Sequence, residues 1–189
     1  FNYICIAGNH DRATAGLIDI MDFNEDAAQA NQWTAEQLSE EHKEYLKSLP
    51  LKHIEGDFSM FHGSPREPIW EYLLSTSLAK ANLKYFDTPF CLIGHSHVPL
   101  VFEHTNDTIS LKRLEDGATL TLGEHRLIIN PGSVGQPRNF DPRASYALYD
   151  SDDETVYHHR VAYDIEATKE KMRQANLPDF LIERLSHGI

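Results

Sequence analysis

Phe90-Cys91-Leu92-Ile93-Gly94-His95-Ser96-His97 (FCLIGHSH, residues 90–97) runs four apolar residues into a glycine and two histidines. The apolar run, bounded by Pro89 and Gly94, reads as a buried strand. In extended backbone, residues two apart point to the same side. Both imidazoles then suit one metal ion, or two ions about 3.5–4 Å apart bridged by a hydroxide.

Three other stretches repeat the arrangement. Ile4–Ala7 leads into Gly8-Asn9-His10-Asp11, Phe58–Phe61 into His62-Gly63-Ser64-Pro65, and Leu127–Asn130 into Pro131-Gly132-Ser133-Val134-Gly135. In open α/β sheets, ligands bind in the crevice outside the carboxyl ends of the strands. Four polar motifs at four strand ends are therefore expected to share one crevice. Asn9 adds a neutral carbonyl oxygen and His62 a further imidazole. A donor set of nitrogen and oxygen without thiolate fits Mn, Fe, Zn or Ni.

The rest of the chain frames this site as one domain, residues 1–189. Tyr3–Ala7 is expected as a buried strand, and 24–49 as helix ended by Pro50. A second helix is expected over 70–82. Short strands follow at 99–105, 108–114, 118–122, 126–130, 145–149 and 155–163, with turn signals at Asn106-Asp107 and Asp116-Gly117. Residues 165–185 return to helical spacing, interrupted at Asn176-Leu177-Pro178. The result is a mixed α/β domain with a β-rich second half.

Composition limits the partners. With 17 basic and 29 acidic residues the formal net charge is -12, which opposes non-specific binding to nucleic acid. A small phosphorylated substrate stays compatible, because a bound cation reverses the field locally. No apolar run approaches the roughly 20 residues of a membrane span. Cys5 and Cys91 sit in apolar runs and read as reduced core thiols of a cytoplasmic protein. Of eleven histidines, His42 and His53 lie near charged helical sequence and read as solvated. His158 and His159 are consecutive in an alternating strand, so they face opposite sides and form no joint metal pair. Ser64 and Ser133 read as turn formers, and Arg66 and Arg138, near the motif loops, are candidate contacts for a substrate phosphate, with ordinary turn arginines as the alternative reading of both.

GNHD, HGSP, GHSH and NPGS, in this order and each after a strand, resemble the calcineurin-like metallophosphoesterases, in particular their small bacterial and archaeal phosphodiesterase-like branch. Phe23-Asn24 to Ala27, the Trp33–Ser39 stretch, GSVGQPR (132–138) and the closing segment from Tyr163-Asp164 to Arg184-Leu185 carry the likeness over nearly the whole chain. The resemblance implies a four-layer αββα sandwich of two mixed sheets with a di-metal site at the strand ends. It implies that Asn9, His62 and His95 hold one divalent ion and His97 the other, manganese being the first expectation. It also implies that His10 contacts the phosphate and protonates the departing oxygen, with Asp11 orienting its ring. A metal-bridging hydroxide would attack phosphorus in line.

The family also carries an Asp-x-His and a Gly-Asp motif ahead of GNHD, and neither is present in this chain. They are expected on an upstream strand–helix–strand segment, about 30 residues or more by the size of such units, or on a second polypeptide. The alternatives to a phosphodiesterase are a phosphomonoesterase or protein phosphatase using the same site, and a scaffold of the same fold that binds partners without catalysis. An intact GNHD favours the enzyme, since a scaffold has no use for a leaving-group histidine.

Overall fold

A computed structural model describes residues 3–189. Its larger sheet holds six strands in the order β1 (Lys52–Glu55), β2 (Phe58–Phe61), β3 (Phe90–Leu92), β7 (Arg126–Asn130), β4 (Leu100–Thr105) and β5 (Thr108–Arg113). The sheet is mixed. β2, β3 and β7 run parallel, while β1 and β4 are antiparallel to their neighbours. A second sheet orders β6 (Thr119–Thr121), β9 (Thr155–Val161) and β8 (Ala144–Asp150). Among the described residues its pairings are antiparallel throughout, so it is not the mixed sheet expected. β8 and β9 are a hairpin, and a hairpin can only pair antiparallel.

The alternation of side chains along each central strand divides the core in two. Cys91, Leu100, Phe102 and Ile128 face Leu73, Ala79 and Phe86, where helix α4 (Thr76–Asn82) covers the sheet. Phe90, Val101, Leu127 and Ile129 pack with Val156 of the second sheet and with Leu114 and Leu122, which flank its β6 strand. Strands buried on both faces read as continuous apolar runs, which is why 127–129 and 90–93 are uniformly apolar.

Three expected elements differ. Tyr3–Ala7 is no strand: Tyr3 is 77% and Ile4 50% exposed, and Ala7 N–H donates to the Pro50 carbonyl at 2.9 Å. An apolar run becomes a strand only where a neighbour supplies ladder partners, and among the described residues none lies beside it. Cys5 is accordingly exposed rather than in the core, whereas Cys91 is buried, and both thiols are free. The helix over 24–49 is two helices, α2 (Glu25–Gln37) and α3 (Glu40–Ser48), because Leu38 turns extended and Ser39 caps the second by accepting from His42 N–H. The helix over 70–82 starts only at Thr76, capped by Ser75. Helices α1 (Asn9–Thr14), α5 (Ile165–Gln174) and α6 (Asp179–Glu183) complete the fold.

The topology sets the site. Parallel strands β2, β3 and β7 end at one edge of the sheet, and antiparallel β4 begins there. His62, the loop 93–99 and the loop 131–143 therefore leave the same edge. α1 begins at Asn9 and packs against α2 and α3.

Candidate metal and phosphate site

Asn9, His62 and His95 meet at this edge. His62 Nε2 stands 3.0 Å from Asn9 Oδ1 and 3.0 Å from His95 Nδ1. His95 Nε2–H donates to the Trp70 carbonyl at 3.2 Å. A carbonyl only accepts, so the proton sits on Nε2 and the Nδ1 lone pair faces His62. Two acceptors thus converge on one ring nitrogen that has a single proton to offer. Two donors bound at 2.0–2.1 Å and at right angles around one ion lie about 3 Å apart, so the trio fits a divalent cation in place of that proton. Among the described residues no three His, Cys, Asp or Glu side chains cluster for a metal; an amide oxygen completes this set.

His95 and His97 do not lie in extended backbone as expected. Both adopt left-handed φ, 55° and 60°, and Ser96 N–H turns back to the Gly94 carbonyl at 2.6 Å. Non-glycine residues rarely occupy this region. The turn aims the two rings differently. His95 stacks on Tyr72 with centroids 4.1 Å apart, while His97 Nδ1–H donates to the Gln136 carbonyl at 2.7 Å. That bond fixes the His97 tautomer and leaves Nε2 free as a second donor in the same cavity, the usual outer support of a metal-binding imidazole.

Electrostatics keeps these rings neutral. Burial pushes the His62 pKa down to about 4, helped by the neighbouring His97 and His10. Burial and His62 bring His95 to about 4, and burial and Arg138 do the same for His97. A neutral imidazole offers its lone pair without first losing a proton.

Gly8 makes room for the trio. A methyl group there would lie 2.9 Å from His62 Cε1 and Nδ1, so the ring lies against bare backbone. Gly132, at φ 90°, opens the loop after β7, where a methyl group would meet Ser145 Oγ at 2.5 Å.

His10 projects beside the trio and lines a cavity of about 740 Å³ with Asn9, His97 and Arg138. Its Nδ1–H donates to Asn31 Oδ1 at 3.0 Å. Asp11 does not orient this ring: its Oδ2 accepts Gly8 N–H at 2.7 Å. Consecutive helical residues point about 100° apart, which directs Asp11 back over the helix start and away from His10. Asn31, buried at 2% exposure on α2, takes the orienting place. Its sequence signal is a polar residue on the inward stripe of α2, in line with Ala27, Ala28, Thr34 and Ala35. Arg138 lines the cavity, held through Nε and Nη2 by Gln136 Oε1 and through Nη1 by Tyr72 Oη. Arg66 instead pairs with Glu71, and buried Ser64 donates to the same carboxylate at 2.6 Å, consistent with turn roles. His158 is buried in the core, with Nδ1–H on the Glu115 carbonyl.

Known proteins share this chain's sequence and fold. The calcineurin-like phosphoesterase superfamily domain matches residues 1–154. An uncharacterized protein of Methanocaldococcus jannaschii, MJ0912, is 36% identical over 99% of this chain and 76% of its own. A metallophosphoesterase from Sphaerobacter thermophilus superimposes with a TM-score of 0.88 at 46% identity, over 99% of this chain and 77% of that one. A hypothetical protein from Pyrococcus horikoshii, PH1004, shares the fold with a TM-score of 0.78 at 23% identity, over 100% of this chain and 74% of its own. The site at the strand ends thus lies on a fold shared with a solved metallophosphoesterase, and the chain belongs to the calcineurin-like phosphoesterase superfamily, as a metal-dependent hydrolase of phosphate esters.

Proposed function

We propose that the substrate is a phosphodiester and that two divalent ions, manganese first among them, serve the reaction. The observation that carries this reading is the placement of two donor sets at one cavity: the Asn9–His62–His95 trio and the free Nε2 of His97, both beside His10. Divalent ions held there supply Lewis acidity and lower the pKa of water toward about 7. Arg138 binds the phosphate. His10, its Nδ1–H held by Asn31, takes up a second proton from solvent on Nε2 and, as imidazolium, passes that proton to the departing oxygen. A cavity of about 740 Å³ has room for an organic group beyond the phosphate, which supports a diester over a bare monoester.

Further donors on the His97 side belong, in this proposal, to an upstream segment or a second polypeptide. The open edge of β8, paired on one side only among the described residues, supports that arrangement. No helix among the described residues is long and apolar enough to cross a membrane, and the free thiols of Cys5 and Cys91 support a reducing, cytoplasmic setting.

The test is turnover of bis(p-nitrophenyl) phosphate against p-nitrophenyl phosphate in Mn²⁺, with metal content measured on the same sample. Preference for the diester with about two ions per chain is the expected result. Preference for the monoester transfers the reading to a phosphomonoesterase, and no turnover with one ion or none transfers it to a scaffold.

A further inference from the structure

The cavity beside His10 is much larger than a phosphate group, and its far side has no part in the hydrolysis. That side is built by the last helices. Phe180 of α6, 57% exposed, and Arg184, in the 3-10 turn after it, line the same cavity as Arg138. The Arg184 guanidinium lies over the Phe180 ring at 5.1 Å. Its Nε–H donates to the Ile189 carbonyl, and Phe140 N–H donates to the Gly188 carbonyl at 2.8 Å. The second bond pins the turn after α6 onto the 131–143 loop, two residues from Arg138, and so brings two guanidinium groups to one cavity.

Neither pairs with an Asp or Glu side chain among the described residues, although the chain carries 29 acidic residues. Arg143, Arg160 and Arg173, by contrast, pair with Asp116, Asp141, Glu170 and Glu183 away from this cavity. The charge of Arg138 adds to burial in pulling the Arg184 pKa down, so the two cations repel each other in the free protein. Repulsion between like charges is relieved by an anion between them. Phe23 and Trp70 line the same cavity and meet edge to face at 4.9 Å. Arginine forks match phosphate oxygens, and aromatic rings offer stacking area at small entropic cost.

We propose that Arg184 and Phe180 form a second subsite, which holds another anionic group and the flat organic part of a doubly phosphorylated ester whose scissile phosphate lies at Arg138 and His10. This rests on the phosphoesterase reading for the first phosphate only; the second subsite is a binding property of the chain itself. Arg184 is then a specificity-determining residue, selecting two phosphates over one.

The probes are ADP and AMP, which differ by one phosphate. Trp70 lines the cavity and Trp33 is the other tryptophan, so the Trp70 emission of a Trp33→Phe protein, metal-free in chelator, reports occupancy directly. ADP is expected to bind about tenfold more tightly than AMP, the effect of one charge-assisted contact. Arg184→Gln should shrink that ratio to about twofold or less, and Arg184→Lys should keep part of it. Phe180→Ala should weaken both nucleotides alike. Equal binding of ADP and AMP by the parent, or an equal loss of both in Arg184→Gln, overturns the subsite. Turnover of bis(p-nitrophenyl) phosphate by the metal-loaded parent is measured alongside. Selectivity for ADP without turnover sinks the hydrolytic reading and leaves the subsite standing; turnover without selectivity does the reverse.

Discussion

His10 Nδ1 and Asn31 Oδ1 lie 3.0 Å apart, joining the GNHD helix to the buried face of α2. The same oxygen accepts from Thr14 Oγ1 at 3.4 Å, while Asn31 Nδ2 is buried without a partner. Only the acceptor half of this amide is used. It fixes which ring nitrogen of His10 carries the proton and which faces the cavity. The contact is therefore a positioning device for the histidine that meets the leaving group.

Asn31→Ala is expected to lower kcat by on the order of tenfold, the lower end for lost outer support of a working histidine, with KM and metal content held. Asn31→Asp keeps an acceptor and exchanges the unpaired NH₂ for a second carboxylate oxygen, whose charge favours protonated His10, so it should recover most of the rate. His10→Ala should cost roughly 10²–10⁴, and adding Asn31→Ala to it should cost nothing further. Steady-state kinetics on the four proteins checks this; an additive double variant would separate the two residues.

Three of the four motif-bearing strands, β2, β3 and β7, were readable because short apolar runs bounded by turn residues leave few local alternatives. The turn holding His95 and His97 was not, since a pattern of types says nothing about left-handed backbone, and there the expected alternation failed. Residues 70–75 carry helical spacing, yet the Trp70 carbonyl is taken by His95 and Glu71 by three side-chain donors. Such long-range polar contacts outcompete the local helix and have no sequence period. Asn31 lay between: its place on an inward stripe was visible, its partner was not. Arg184 stood in a motif that marked the family and carried no chemistry until the fold placed it beside Arg138.

Gly8→Ala tests the close approach of backbone and ring. The added methyl, 2.9 Å from His62 Cε1 and Nδ1, must displace the imidazole from Asn9 and His95. The expected cost is about 1–3 kcal/mol of stability, the usual size for overpacking, together with weaker metal binding. Thermal unfolding without metal and a metal titration read the two effects separately. Unchanged metal affinity would show that His62 has room to move.

His62→Ala and His97→Ala should differ in metal count. His62 stands in the trio, whereas His97 is held apart by Gln136. If the two donor sets hold two ions, each variant loses one ion and keeps the other, as metal analysis of the dialysed proteins would show. Loss of all metal in both variants would point to a single shared ion.

Glu71 gives the fold an acid-sensitive joint. Burial alone would raise its pKa, but hydrogen bonds from Ser64, Asn82 and Arg66 outweigh that and hold it below the usual carboxylate value. A carboxyl depressed in the folded state adds stability above its unfolded pKa, and loses it as pH falls through the folded value. Between neutral pH and about 5 its contribution should be flat, and below about 4.3, the ordinary glutamate pKa, it should fade. Glu71→Gln removes the charge that Arg66 faces and leaves buried Asn82 and Ser64, both at 0% exposure, with an altered partner. The expected loss at pH 7 is about 1–3 kcal/mol, the cost of a disturbed buried hydrogen-bond site, with a shallower fall of melting temperature between pH 5 and 3. Equal acid slopes in the two proteins would mean that Glu71 titrates alike in the folded and unfolded states, and that another carboxylate sets the acid limit.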